Sequence, residues 1–164
     1  MRKPVIGVMG GGEGAPERDV QWGYELGKAI ASQHWVLLTG GRRAGIMESA
    51  SKGAKDNDGF VVGVILSDDA SSANEFVDVV IATGMGSARN NINVLSSDVI
   101  IGCGTTSAGT LSEIALALKA GKPVVLLNTD TLTIDFLQKI GEDLLHVADT
   151  PERAIELTRE LLAR

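Results

Sequence analysis

The chain has 164 residues, 44% of them hydrophobic, with 20 glycines, one cysteine and a formal net charge of −6. That length is one domain, residues 1–164, and it buries roughly 70% of the unfolded surface, so neither a disulfide nor a ligand is needed to build a core. An acidic balance without a run of Lys or Arg excludes a nucleic-acid partner. The lone Cys103 fits a reducing compartment, and the apolar run after Pro4 is too short for a signal segment or a membrane span, so a cytoplasmic protein is expected.

In chain order, Pro4 to Met9 reads as a buried strand followed by a glycine loop, Gly10, Gly11, Gly12 and Gly14. A helix over Glu17 to Gln33 is predicted from Val20, Tyr24, Leu26 and Ile30 at helical spacing. Trp35 to Leu38 is a second strand, leading through Thr39-Gly40-Gly41-Arg42-Arg43-Ala44-Gly45 into a helix from Ile46 to about Asn57. Phe60 to Leu66 is a third strand and Ser67 to Glu75 a polar, mobile loop. Val77 to Ala82 is a fourth strand, followed by Thr83-Gly84-Met85-Gly86-Ser87-Ala88-Arg89-Asn90 and a helix reaching Ser97.

Val99, Ile100 and Ile101 form the next strand, and Gly102 to Thr110 hold three glycines and four Ser/Thr residues before Leu111, Ile114, Ala115 and Leu118 resume helical spacing. Such a turn lets a ligand approach the backbone and presents helix-opening N–H groups to an anion. Pro123 to Leu127 is a strand, Thr133 to Ile140 a short helix and Leu144 to Val147 a last strand. Thr150 then caps a closing helix with Pro151 at its first position.

Seven apolar strands alternating with helices predict an α/β fold with a mainly parallel sheet covered on both faces. Ligands of such sheets bind beyond the carboxyl ends of the strands, where the four glycine loops lie. The loops do not carry G-x-G-x-x-G with an acidic residue ending the second strand, nor G-x-x-x-x-G-K-[ST], so NAD binding and P-loop hydrolysis are not expected. His34 and His146 stand at strand edges away from acidic or cysteine clusters, and no metal site is expected.

Thr39-Gly40-Gly41 with Gly45-Ile46-Met47-Glu48, the run Gly84 to Asn90, and Gly109-Thr110-Leu111-Ser112-Glu113 resemble the motifs of the molybdenum cofactor carrier proteins, within the superfamily of the LOG phosphoribohydrolases. The resemblance covers nearly the whole chain and is closest from Thr83 to Leu127. It implies a Rossmann-like three-layer sandwich and a homo-oligomer, commonly a tetramer. It also implies binding of molybdopterin with its molybdenum, protected and passed to a molybdoenzyme without turnover. The alternative is hydrolysis of a nucleoside 5′-monophosphate with Arg89 and Glu113 at the sugar. The hydrolase branch carries Gly-Gly-x-Gly-Thr-x-x-Glu and an Arg-Lys pair. Here Gly109, Thr110, Glu113 and Arg89 match, whereas Asn90 replaces the lysine and Gly104-Thr105-Thr106-Ser107-Ala108 replaces the first half of the loop.

The candidate binding residues are therefore those of the loops, Gly10 to Gly12, Thr39 to Arg42 with Gly45, Gly84 to Ser87 with Arg89 and Asn90, and Gly104 to Thr110 with Glu113. Glu113 stands three residues after Thr110, the spacing of a capping box, and so reads either as a cap or as a ligand or acid/base group. Arg89 opens a helix, a poor match to the dipole unless an anion is near. Of Arg42 and Arg43, one is expected in solvent and one at the ligand. Cys103 is a molybdenum thiolate or a small core residue. The short helices rich in Ala50, Gly53, Ala54 and Ala88 suit packing against a second copy or against their own sheet.

Overall fold

A computed structural model describes residues 2–105 and 107–164. The expected strands form as β1 (Val5–Gly10), β2 (Val36–Thr39), β3 (Phe60–Ile65), β4 (Val79–Ala82), β5 (Val99–Cys103), β6 (Val124–Leu127) and β7 (Leu145–Ala148). They build one seven-stranded sheet in the order β4-β3-β2-β1-β5-β6-β7, with every pairing parallel. The helices are α1 (Glu17–Ser32), α2 (Gly45–Lys55), α3 (Arg89–Ser96), α4 (Ala108–Lys119), α5 (Thr131–Gly141) and α6 (Pro151–Leu162). None of them is long and apolar enough to cross a membrane.

The strands are apolar throughout because both faces are covered. Along β5, Val99, Ile101 and Cys103 enter the core beneath α1, α2 and α6, while Ile100 points into the core beneath α3, α4 and α5. The chain winds outward from β1 to β4, then returns across the sheet to β5 beside β1. This reversal is the topological switch point, and the loops after β1 and β5 flank it.

Four local differences from the expected elements have physical causes. Val77 and Asp78 do not join β4, since the Asp78 carboxylate turns back to accept from the Val61 N–H at 2.8 Å and from Lys55 at 2.6 Å. α5 starts two residues early because Asp130 caps it, accepting from the Thr133 N–H at 3.0 Å. The polar segment 67–75 is anchored: it holds a 3-10 turn at Ala70–Ser72, and Asn74 is buried and donates to the Gly41 and Arg42 carbonyls at 3.2 and 3.1 Å. Lastly, the small residues of α2 pack against a helix, α1, and not on the sheet alone. A Cβ at Gly27 would collide with the Ala50 carbonyl, and one at Gly53 with that of Tyr24.

Candidate functional site

At the carboxyl rim of the sheet the four glycine loops close around a cavity of about 250 Å³. β1 and its loop contribute Val8, Met9, Gly10 and Gly12, and the second loop contributes Gly40 and Arg42, backed by Met47 of α2. Ser87, Arg89 and Asn90 come from the loop after β4 and the start of α3. Ser107, Gly109, Thr110 and Glu113 come from the start of α4, and Leu66 closes the end of β3.

Arg89 is the centre of this arrangement. Its side chain is only 8% exposed, and Nη1 lies 3.4 Å from Glu113 Oε1, itself 8% exposed, and 3.2 Å from Asn90 Oδ1. Asn93, one turn along α3, donates to the same Glu113 oxygen at 2.9 Å. Buried Arg89 Nε has no hydrogen-bond partner among the described residues. Burial lowers the Arg89 pKa, an effect opposed by Glu113 and reinforced by Arg42. Burial raises that of Glu113 against the opposing pull of Asn93 and Arg89.

Gly40 is glycine because a Cβ there would lie 2.7 Å from Arg89 Nη2 and from Met47 Sδ, so only a bare backbone leaves room for the guanidinium. Gly45 has φ +53°, and a Cβ would strike the carbonyls of Gly11 and Gly12. Together with the 3.0 Å bond from Ile46 N–H to Gly11 O, this joins the first loop to the second. At the fourth loop Ser107 is the N-cap of α4, its Oγ accepting from the Thr110 N–H at 3.1 Å. The capping-box reading of Glu113 is thereby corrected. Ser107 already caps the helix, and Glu113 faces the opposite helix as the counter-ion of Arg89.

Eleven of the candidate residues line the cavity: Gly10, Gly12, Gly40, Arg42, Ser87, Arg89, Asn90, Ser107, Gly109, Thr110 and Glu113. Gly11, Thr39, Gly41, Gly45, Gly84, Met85, Gly86, Gly104, Thr105 and Ala108 are not in its wall. Thr39, for example, is buried and accepts from the Gly41 N–H at 3.0 Å, and Gly104 packs against Asp19. Thr106 lies outside the described residues. Arg42 is the loop arginine at the cavity, whereas Arg43 donates to the carbonyls of Ala73 and Ser71 at 2.8 and 2.9 Å.

Sequence reasoning missed Val8, Met9, Met47 and Leu66, apolar residues without a glycine signal, and Asn93. Leu66 could have been found, since it ends a strand at the same rim. Asn93 could have been found from its position one helical turn after Arg89. Cys103 is a core thiol: it is fully buried, lies 3.6 Å from the Asp19 carbonyl, and burial with Asp19 nearby pushes its pKa up to about 12. It stays protonated at neutral pH and is unsuited to bind a metal as thiolate. Among the described residues no group of three or more His, Cys, Asp or Glu side chains could hold a metal ion.

Two arginines and one carboxylate in the wall, an unpartnered buried N–H and the opening N–H groups of α4 are suited to an anionic ligand. Residues 3–155 match the model of the SLOG cluster4 family. The chain is 41% identical over 155 residues to an uncharacterized protein of Archaeoglobus fulgidus, covering 94% of each. Among solved structures it is similar to the molybdenum cofactor binding protein from the phototrophic bacterium Rippkaea orientalis, at 51% identity, TM-score 0.96 and 99% coverage of each chain. The molybdenum cofactor carrier protein from Chlamydomonas reinhardtii is also similar, at 47% identity and TM-score 0.93, over 99% of this chain and 100% of the other.

Proposed function

We propose that this chain, which belongs to the SLOG cluster4 family, binds the molybdenum cofactor in the four-loop cavity and carries it to a molybdoenzyme without turnover. The observation that supports this most directly is Arg89, a buried guanidinium in the cavity wall with an unpartnered Nε. Arg89 and Arg42 stand in that wall with one carboxylate, Glu113 at 3.4 Å from Arg89, so the wall carries a net positive charge that an anion offsets. The likeness to the Rippkaea orientalis and Chlamydomonas reinhardtii proteins supports the molybdenum cofactor as that anion.

In this reading Arg89 and Arg42 hold ligand charge, the opening N–H groups of α4 receive phosphate or oxo oxygens, and Val8, Met9, Met47 and Leu66 exclude water. The molybdenum chemistry belongs to the recipient enzyme. The carrier acts in the cytoplasm as a homo-oligomer. Val79 and Ile81 on β4, 43% and 40% exposed, and the Leu132, Phe136 and Ile140 stripe on α5, at least 57% exposed, are surfaces that a second copy would cover.

A second reading has an observation in its favour: Arg89 and Glu113, the pair used by the hydrolase branch, meet at 3.4 Å. Anaerobic incubation with released cofactor followed by native mass spectrometry separates the two. The carrier reading expects a bound cofactor mass, an assembly heavier than one chain, no free base from nucleoside 5′-monophosphates, and at least about tenfold weaker binding in Arg89→Ala. Base release by the wild type that disappears in Glu113→Gln would promote the hydrolase.

A further inference from the structure

The cavity of about 250 Å³ shares Arg42 and Leu66 with a neighbouring groove of about 240 Å³. The two spaces differ in chemistry. The cavity is built around Arg89, whereas the groove is floored by Ile65 and Leu66, walled by Arg43 and rimmed by Glu13, the one carboxylate among its described lining residues. Arg43 is pinned by its hydrogen bonds to the Ala73 and Ser71 carbonyls. Those bonds use two of the five N–H donors of the guanidinium, Nε and Nη2, and fix its plane, and a guanidinium so held can stack its flat face on a planar ring. Glu13 is 86% exposed, and its single ion pair, to Arg42 Nη2, is long at 3.8 Å. An exposed pair of that length contributes little, and the carboxylate is free to exchange it for a better partner.

Two apolar side chains, a pinned arginine and an exposed carboxylate fit a ring that presents two parallel N–H donors. The pyrimidinone ring of a pterin has that edge, formed by its 2-amino group and N3–H, and a carboxylate accepts both in a bidentate pair. We propose that this groove is the subsite for the 2-amino-4-oxopyrimidine ring of a pterin whose anionic end occupies the cavity, and that Glu13 is the residue that selects the pterin. This rests on the carrier reading and adds a polarity to it: the anionic end faces Arg89, and the donor edge faces Glu13.

The test uses pterin fluorescence to titrate the full-length protein with 6-hydroxymethylpterin phosphate and with its lumazine counterpart, which has an oxo group in place of the 2-amino group. Inorganic phosphate and the released cofactor are titrated in parallel. Wild type is expected to prefer the pterin by about tenfold, the scale of one charge-assisted hydrogen bond. Glu13→Gln, an exposed substitution that leaves the core untouched, is expected to erase that preference while holding phosphate no more weakly. Equal affinity of the wild type for the two rings, or a preference that survives in Glu13→Gln, overturns the subsite and leaves the carrier reading standing if the released cofactor still binds. Failure of the released cofactor to bind wild type overturns both.

Discussion

Glu113→Gln separates a carboxylate that merely props up α3 from one that occupies the place of an anion. The substitution keeps the shape and an acceptor for Asn93 but removes the charge that lies 3.4 Å from Arg89. At that distance an effective dielectric of about 20 gives a Coulomb attraction of about 5 kcal/mol, and removing one partner of a buried pair costs about 3–5 kcal/mol because the other charge is left uncompensated. Burial of the carboxylate, the cause of its raised pKa, offsets much of that attraction, so the expected loss in the free protein lies below that range, at about 1 kcal/mol. An anion bound in the cavity returns the missing charge, so the loss should vanish at saturation and the variant should bind anions more tightly than wild type.

Urea denaturation of both proteins, with and without saturating phosphate, reads the four free energies directly. Equal losses with and without phosphate would refute the reasoning, since Glu113 and the ligand would then not compete for Arg89. The pH dependence has a definite sign. Burial raises the Glu113 pKa, so between the ordinary carboxylate range and that raised value the folded state holds the proton more firmly than the unfolded one. Its contribution to wild-type stability therefore falls as pH rises through that window and is absent in Glu113→Gln.

Three further outcomes are expected. Gly109→Val meets open space, its Cβ having only Ser107 Oγ at 3.9 Å. It should keep the melting temperature within a few degrees of wild type while abolishing cofactor binding, and retained binding would remove the fourth loop from the site. Gly27→Val drives a side chain into the Ala50 carbonyl, so soluble expression or thermal stability should collapse, with a loss above about 3 kcal/mol if the protein can be measured at all. Cys103, buried and with its pKa pushed up to about 12, should resist iodoacetamide at pH 8 in the native protein and react once unfolded. Rapid native alkylation, followed by mass, would contradict its place in the core.

The sheet was legible because each strand is a short apolar run bounded by glycine or a helix start, and the rim because strands ending in glycine loops share one edge of a parallel sheet. What the spacing could not convey was pairing across the fold. The Thr110 to Glu113 interval satisfies the capping-box pattern, yet Ser107 had already taken the cap, and only the closeness of α3 to α4 shows that Glu113 answers Arg89. Likewise Ala50 and Gly53 carry the signature of a close contact without naming the neighbour, which is α1. Asn74 looked like loop polarity because its role, holding the Gly41 and Arg42 carbonyls, joins residues about thirty positions apart.

Those long-range ties bear on how fast a cargo enters and leaves. Gly45 seats the second loop against Gly11 and Gly12, Ile46 bonds to the first loop, and Asn74 fastens the second loop from outside. A wall assembled before the ligand arrives needs no folding step on capture, so association should be close to what diffusion and docking allow, and differences in affinity among variants should appear in the residence time. Release is then set by how long the anion stays at Arg89, so weakening the hold of that guanidinium should shorten the residence time.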